Sequence, residues 1–479
     1  MNTRAKRQVE NERRHAVVLG GSLAGLLAAR VLSDHFDRVT LVERDAYPET
    51  CETRKGIPQA NHVHGLLVRG REILEELFPG LQDEMIAAGG PVVDMANEIA
   101  WFTRAGWGVR FPSEFQVLAF TRPLLDLHVR RRLADRPNIE ILDNTDVLRL
   151  IPDYAPNQLA GVLICQRISH ADRRLAKELR ADLIVDATGR ASRAPRWLRD
   201  LGYESPEEIV VDANIGYASR LYRIPENFHG EWKCAYMQSA PPERKRGAIL
   251  FAVEGNRWLV TLTGGGGDHP PSDELGFLQF VRSLGVSTIY DAVRVAEPLT
   301  PIKTHRATQN RLRRYDRVKE LPHNFLLLGD AVCAFNPVYG QGMTTAALGA
   351  VTLQRNLLEQ NGSLRGLSHR FQKQLAKVIT APWMMATSED YRYRETTGGS
   401  ANWMTRFMHR YMDHVIQLAT RSIAVRSTLM RVFNLMVPPS ALFRPGVLFR
   451  VLLQAFKPTS RSVERPTRER VKKQVLEAS

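Results

Sequence analysis

Residues 15–43 read HAVVLGGSLAGLLAARVLSDHFDRVTLVE, and this stretch decides the fold. An apolar, β-branched run at 15–20 is followed by helical periodicity from Ser22 to Asp34 and by a second apolar run from Arg38 to Glu43. This order predicts a β-α-β unit. The glycine-rich turn after the first strand leaves free backbone amides at a helix N-terminus, where an anionic pyrophosphate binds well. The stretch therefore predicts a dinucleotide site.

The turn departs from the usual G-x-G-x-x-G fingerprint at one position, because Gly20, Ser22 and Gly25 occupy the three glycine places. Gly20 permits the tight turn, Gly25 lets the helix lie close to the strand, and Ser22 is small and adds a hydroxyl. Glu43 stands where an acidic residue binds a ribose hydroxyl, which favours FAD or NAD over a 2′-phosphate. Taken alone, the motif also fits a helix-packing turn with a surface glutamate.

A second glycine-rich stretch distinguishes FAD from NAD. It reads NFLLLGDA at 324–331 and continues NPVYGQGM at 336–343. Asp330 follows a buried strand and is placed to bind a polyol hydroxyl such as ribitol. Pro337 and Gly340 shape the next turn, and the helix opened by Gly342 and Met343 points its positive end into the site. An NAD dehydrogenase has no use for this second stretch, so we expect FAD.

At 479 residues the chain is too long for one ordinary core. We predict a mixed α/β (α+β) fold: a Rossmann-like FAD-binding domain, an inserted antiparallel-sheet substrate domain and a helical C-terminal extension. The expected order is a disordered basic arm at 1–14, the first part of the FAD-binding domain at 15–209 with substrate-domain insertions, the antiparallel sheet at 210–301, the second FAD-binding part at 302–360, and helices with a basic tail at 361–479.

Charge is concentrated at the C-terminal end, where residues 401–479 hold 14 Lys and Arg against 4 Asp and Glu, which is +10 of the net +15. No nucleic-acid-binding motif accompanies this charge. The segment 401–460 mixes large apolar residues with arginine, so it either caps the substrate pocket or makes peripheral membrane contact. Within it, apolar residues recur at three- and four-residue steps from 403 to 419, which predicts an amphipathic helix whose apolar stripe packs on the core. The four widely spaced cysteines indicate neither a disulfide scaffold nor a metal site, and a cytoplasmic location is expected.

Three motifs in this order resemble the para-hydroxybenzoate hydroxylase superfamily of FAD monooxygenases, over roughly residues 15–360. They are the turn at 20–25, the run DATGRAS at 186–192, and the stretch 329–342. The middle motif usually reads Asp-Gly in this family, whereas Ala-Thr intervenes here. The segment RKGIPQANHVH at 54–64 is most similar to the branch of flavin-dependent epoxidases that act on polyenes and polyethers.

By this resemblance, Arg54 and Arg122 contact FAD, and Gly56 passes beside the isoalloxazine. His62 and His64 are candidates near the flavin. The alternative is that both only bond backbone groups, from one face of a short strand. No catalytic residue is assigned and no metal is expected. The candidate cofactor-binding residues are Gly20, Gly21, Ser22, Ala24, Gly25, Glu43, Arg44, Arg54, Lys55, Gly56, Arg122, Asp186, Gly189, Gly329, Asp330, Pro337, Gly340, Gly342 and Met343.

The resemblance implies an FAD-dependent monooxygenase of secondary or lipid metabolism. Such an enzyme inserts one oxygen atom from O2, through a C4a-hydroperoxyflavin, into a hydrophobic alkene or aromatic substrate by epoxidation or hydroxylation. NAD(P)H supplies electrons directly or through a separate flavin reductase. Two alternatives are a flavin-dependent reductase of isoprenoid double bonds, similar to geranylgeranyl reductases, and a non-catalytic, membrane-associated flavin-binding protein. The Trp-x-Trp-x-Ile-Pro signature of flavin halogenases is absent.

Overall fold

The computed structural model describes residues 14–167, 176–360 and 363–455, so nearly all of the predicted arm at 1–14 and the end of the basic tail lie outside the described residues. The strands are β1 His15–Leu19, β2 Arg38–Val42, β3 Val92–Asp94, β4 Ile99–Thr103, β5 Gly106–Trp107, β6 Gln116–Leu118, β7 Ile139–Leu142, β8 Thr145–Pro152, β9 Leu159–Gln166, β10 Ala176–Arg180, β11 Leu183–Asp186, β12 Glu208–Val211, β13 Gly216–Arg223, β14 Cys234–Met237, β15 Arg246–Val253, β16 Arg257–Gly264, β17 Lys303–His305, β18 Asn310–Arg313, β19 Phe325–Leu327 and β20 Cys333–Ala334. The helices are α1 Leu23–Leu32, α2 Val68–Leu77, α3 Leu81–Ala87, α4 Arg122–Ala134, α5 Ala194–Asp200, α6 Glu274–Arg282, α7 Thr288–Val293, α8 Gly342–Glu359, α9 Leu367–Asp390, α10 Trp403–Ala419, α11 Ile423–Phe433 and α12 Pro445–Ala455.

A five-stranded parallel sheet in the order β19-β11-β1-β2-β7 carries the predicted β-α-β unit. Its central strand β1 is fully apolar after His15 because helices cover both faces of a parallel sheet. Helices α1 and α8 pack against each other. Since parallel strands end at one edge, the turns that follow β1, β11 and β19 come together there.

A seven-stranded, mostly antiparallel sheet in the order β17-β13-β16-β15-β14-β4-β5 forms the second layer. Residues such as Ala218 and Leu262 point into a core with the helices α6 and α7, so the alternate residues of the same strands point the other way. Strands β4, β5 and β17 lie outside the predicted 210–301 segment. All three strands are short, and β4 and β17 pair with strands that are distant in the sequence, so their own sequences carry little alternation.

The C-terminal helices divide the predicted apolar stripe at 403–419 into two parts. Tyr411, Val415 and Ala419 are buried against α11 and α12. Trp403 and Phe407, in the first half of α10, are 70% and 57% exposed, so the expectation that the whole stripe packs on the core is wrong there. The described helices include none that is both long enough and apolar enough to cross a membrane.

Candidate functional site

The two glycine-rich stretches, more than 300 residues apart in sequence, meet in the fold. Gly329 has φ +62°, and a Cβ added to it would lie 2.7 Å from the Cβ of Ala24. Gly329 and Ala24 come this close because β1 and β19 are the two strands that flank β11. The two stretches therefore border one site.

The first turn leaves no room for side chains at two of its glycines. Gly20 has φ +94°, and a Cβ on it would lie 2.5 Å from the carbonyl oxygen of Ala187. A Cβ on Gly25 would lie 1.8 Å from the carbonyl oxygen of Gly20. This contact is between backbone atoms and cannot be relieved by rotating a side chain, so helix α1 needs glycine at this point to lie against the turn.

Positive groups converge at the N-terminus of α1. Ser22 precedes the helix in an extended conformation, and no side chain of the described residues caps that end. The buried Arg122 donates from Nη2 to Ser22 Oγ at 3.0 Å and from Nε to Asp126 Oδ1 at 2.8 Å. A guanidinium beside free helix amides suits a phosphate group.

Glu43 organises the turn from the end of β2. Its carboxylate accepts from the backbone N–H groups of Gly21 (2.6 Å) and Asp45 (2.9 Å). Arg54 Nη2 and the hydroxyl of Tyr47 both donate to the Gly21 carbonyl, and the Arg54 guanidinium lies over the Tyr47 ring. Arg54 Nη1 lies 3.4 Å from Glu43 but has no hydrogen-bond partner among the described residues, so a buried donor remains available to a ligand.

The predicted residues Arg44 and Lys55 are exposed on the surface. Arg54, in contrast, is partly buried beside the first turn. Gly56 is partly buried, and its N–H donates to Asp45 Oδ2 at 2.7 Å. Tyr47 was not predicted from sequence. Its only signal was an aromatic residue shortly after the second strand, which is too common a feature to single out.

Asp186 holds the middle motif together. It is fully buried, and its oxygens accept from the Thr188 N–H (2.8 Å), the Thr188 hydroxyl (2.6 Å) and the Ser192 hydroxyl (2.5 Å). Burial raises the pKa of Asp186, while these bonds oppose the rise. The carboxylate thus shapes the turn that presents Gly189 (φ +78°) to Asp330.

Asp330 lies shortly after β19 and is partly buried. No hydrogen bond to its side chain comes from residues 14–167, 176–360 or 363–455. Burial raises the pKa of Asp330, and the charges of Arg190 and Arg122 lower it. Arg190, which sequence reasoning did not single out, is itself held by the carbonyls of Gln309 (2.6 Å) and Phe335 (3.0 Å).

The second turn opens onto empty space. Gln341 precedes α8 without a side-chain cap, and its Oε1 is buried with no partner among the described residues. A Cβ on Gly342 would meet no atom within 4 Å, and the same holds for Gly65. Met343, the next residue of α8, is buried beneath the turn that Pro337 and Gly340 form.

The second turn lies against the seven-stranded sheet, because the Tyr217 hydroxyl on β13 donates to Asn336. His64, Asp330, Tyr339 and Tyr236 are all partly buried. The region between the second turn and the sheet is called the cleft below.

The two histidines face different partners. His62 follows a 3₁₀ turn at Pro58–Asn61, and its Nδ1 lies 2.7 Å from Ser219 Oγ on β13. His64 Nδ1 lies 2.9 Å from the carbonyl of His62, and its ring is near Arg122. The segment at 62–64 is irregular rather than a strand, so the expectation that both rings share one face is wrong.

A buried hydrogen-bond chain supports the second turn from behind. Asp390, at the end of α9, accepts from the Asn310 amide (2.6 Å) and the Tyr339 hydroxyl (2.5 Å). Asn310 accepts from the Asn336 N–H at 2.7 Å, and Asn336 accepts from the Tyr217 hydroxyl. Asn336 adjoins Pro337 in the motif, whereas Asp390 carried no sequence signal because only the fold brings it here.

Asp390 makes stability depend on pH. Burial raises its pKa to about 7, with Asp212 and Glu389 adding to the rise. The native state therefore keeps a proton that an unfolded aspartate, with a pKa of about 3.9, releases. This stabilisation is complete below about pH 4 and is lost as pH rises to about 7, by up to about 1.4 kcal/mol per pH unit.

We expect Asp390→Asn to remove that dependence, because an amide can donate to Tyr339 and accept from Asn310 as the protonated acid does. The measurement is the free energy of unfolding of both proteins by urea between pH 5 and pH 8. The free energy of unfolding of the variant minus that of the parent should increase as pH rises. A constant difference contradicts the assignment.

The comparisons with known proteins agree with this geometry. The family model described as FAD binding domain matches residues 13–363. The chain belongs to that family. It is 35% identical over 401 residues to Protein Rv3254 of Mycobacterium tuberculosis (strain ATCC 25618 / H37Rv), covering 81% of this chain and 83% of the relative.

Solved structures of other flavin-dependent enzymes share the fold. The flavin-dependent brominase Bmp2 superposes with a TM-score of 0.65 at 13% identity, covering 92% of this chain and 99% of that one. The p-nitrophenol 4-monooxygenase PnpA of Pseudomonas putida DLL-E4 gives 0.60 at 16% identity, covering 89% and 99%. At these identities the likeness concerns the fold alone.

FAD fits the residues present. Two uncapped helix ends, the buried Arg54 donor, the free Asp330 carboxylate and the open space at Gly342 are the kinds of groups that suit the phosphates, ribitol and ring of FAD. The prediction that FAD is the cofactor is confirmed by family membership. The individual contacts, and the epoxidase branch, stay predictions.

Proposed function

We propose that this enzyme inserts one oxygen atom from O2 into a hydrophobic alkene or aromatic substrate bound between the parallel sheet and the seven-stranded sheet. Bound FAD, reduced by NAD(P)H directly or through a separate reductase, supplies the activated oxygen. The observation that carries the proposal is the contact between the inner face of the seven-stranded sheet and both flavin-site segments: Tyr217 bonds Asn336, and Thr261 accepts from the Val63 N–H at 2.8 Å.

The part of that inner face formed by β4, β14 and β15 is largely apolar. Trp101, Tyr236 and Phe251 on the sheet pack with Phe111 and Met436 and are only partly buried. Partly buried aromatic side chains inside a protein favour a lipophilic ligand held by contact area, with few polar groups to orient it. This lining supports a hydrophobic substrate, and it suits an alkene and an aromatic ring equally well.

The chain's own residues supply positioning and electrostatics. Ser22, Arg122 and Arg54 would hold the phosphates of bound FAD, and Asp330 would orient its ribitol. The N-terminus of α8 would present the positive end of its dipole to the flavin ring, which favours negative charge there. Burial beneath the C-terminal helices excludes water from the cleft, which favours oxygen transfer over loss of peroxide.

The test is an isotope experiment with purified enzyme, FAD, NADH or NADPH, and lipophilic alkenes and aromatic compounds under ¹⁸O2. We expect product masses that carry one ¹⁸O atom. An unlabelled product that has gained two hydrogens would instead identify a reductase of double bonds. Hydrogen peroxide without any converted substrate would favour a flavin-binding protein without turnover.

We further propose that α10 and α12 touch an anionic membrane surface from which the substrate is taken. The two helices pack together, and they expose Trp403, Phe407 and the 63%-exposed Phe449. The exposed Arg410 and Arg450 lie on the same two helices. Apolar side chains combined with arginine suit an anionic lipid interface.

Liposome flotation measures this contact. We expect the protein to float with phosphatidylserine-containing vesicles more than with neutral ones, and Trp403→Ser with Phe449→Ser to lose most of the bound fraction. Leu275→Ser is the control, because Leu275 is 68% exposed on α6, which packs on the opposite face of the seven-stranded sheet from the C-terminal helices. Equal flotation of the double variant and the control contradicts the proposal.

A further inference from the structure

His62 is a buried polar residue for which the proposed reaction has no assigned use. His62 is only 4% exposed. The centre of its ring lies 5.8 Å from the ring centre of Tyr217 and 5.6 Å from that of His305. Tyr217 bonds Asn336 of the second flavin turn. The imidazole is thus at the junction of the 54–64 segment, the sheet and that turn.

A chain of hydroxyl groups determines which ring nitrogen carries the proton. The Val63 N–H donates to Thr261 Oγ1 at 2.8 Å, Thr261 Oγ1 lies 2.6 Å from Ser219 Oγ, and Ser219 Oγ lies 2.7 Å from His62 Nδ1. If Thr261 donates to Ser219 and Ser219 to Nδ1, every hydroxyl proton has an acceptor. The reverse direction leaves the Thr261 proton without one among the described residues.

The favoured direction makes Nδ1 an acceptor. Burial and the neighbouring His305 and His64 lower the pKa of His62 to about 3, so the ring is neutral at physiological pH. A neutral imidazole with an accepting Nδ1 carries its proton on Nε2. His64 has the opposite tautomer, because its Nδ1 faces the His62 carbonyl, which can only accept.

The Nε2–H of His62 is left without a partner. It is buried, and no acceptor among residues 14–167, 176–360 and 363–455 reaches it. An unsatisfied buried donor costs about 1–3 kcal/mol, and such groups are rare in folded proteins. The cost disappears when a bound molecule presents an acceptor at this position.

We propose that His62 is a neutral hydrogen-bond donor, fixed in its Nε2–H form by Ser219 and Thr261, that binds an oxygen acceptor of the molecule held in the cleft. The acceptor is a carbonyl oxygen of the flavin or an oxygen of the substrate. Only the second source rests on the proposed function. His62 is therefore a ligand-orienting residue and does not transfer a proton.

The first test reads the tautomer in the full-length holoenzyme by NMR of ¹⁵N-labelled histidine, with His62→Gln to assign the signal. We expect a protonated Nε2 and an unprotonated Nδ1 throughout pH 5–8, and loss of this preference in Ser219→Ala. A protonated Nδ1, or a ring that titrates near pH 6.5, overturns the proposal whether or not ¹⁸O2 labels any product.

The second test locates the acceptor with His62→Ala and with His62→Gln, whose amide can donate in place of Nε2. If the flavin is the source, His62→Ala weakens FAD binding about tenfold, and glutamine restores it. If the substrate is the source, FAD affinity is unchanged in both variants. The His62→Ala holoenzyme then loses the tighter binding of 1-naphthol relative to naphthalene, whereas the His62→Gln holoenzyme keeps it. Unchanged FAD affinity together with an unchanged preference overturns the proposal.

Discussion

Gly25→Ala is expected to abolish FAD binding and to destabilise the parallel sheet by about 3 kcal/mol or more, as overpacking against backbone does. A methyl group at this position would lie 1.8 Å from the carbonyl oxygen of Gly20. Either α1 moves away from β1 or the turn opens, and both displace the amides that hold the pyrophosphate. Urea unfolding of the apoprotein and FAD fluorescence titration measure the two effects.

Gly342→Ala is the matched control for the steric argument. A Cβ there meets no atom within 4 Å, and alanine is the better helix former at the start of α8. The apoprotein should be at least as stable as the parent, while FAD affinity falls because the methyl group occupies the cofactor's space. Equal loss of stability in both variants contradicts the account of the first turn.

Asp330→Ala is expected to weaken FAD binding about 10- to 100-fold while the apoprotein keeps its stability within about 1 kcal/mol. The carboxylate receives no hydrogen bond from the described residues, so the fold loses little, whereas the ribitol loses a charge-assisted bond of about 1.5–3 kcal/mol. Calorimetric titration of FAD into the apoprotein checks this.

Asp268→Ala serves as the comparison variant for this effect. Asp268 makes two hydrogen bonds to Arg246, at 2.7 and 2.8 Å, on the seven-stranded sheet. Its loss should lower stability slightly and leave FAD affinity unchanged. An FAD affinity in Asp330→Ala equal to that of the parent would remove Asp330 from the site.

Local sequence was sufficient for the parallel sheet and its turns. The runs around β1, α1 and β19 have strong periodicity or full burial, and glycines mark positions where the backbone itself is in contact, as at Gly25. The same reasoning singled out Asp330 because it adjoins the end of β19, whereas Arg122 came from the family resemblance, and the contacts of both with FAD stay predictions. Helix and strand boundaries differ from the predicted ones by only one or two residues in these segments.

Contacts between distant segments lay beyond such reasoning. Asp390 meets Asn310, and Ser219 meets His62, only after the two sheets and the C-terminal helices have assembled. For the same reason periodicity could not reveal that 62–64 is irregular. The apolar stripe of α10 was visible in the sequence, but an amphipathic pattern does not say which part of such a stripe is covered by protein and which part faces solvent.

The most direct measurement of the central claim, that the two glycine-rich stretches hold opposite ends of one FAD, is the binding of FAD fragments to two variants. ADP contains the pyrophosphate end, and riboflavin contains the ribityl and ring end. We predict that Arg54→Met weakens ADP about tenfold or more and leaves riboflavin unchanged, whereas Asp330→Ala weakens riboflavin and leaves ADP unchanged. Both variants should weaken FAD. Loss of ADP binding in Asp330→Ala, or of riboflavin binding in Arg54→Met, would contradict the arrangement.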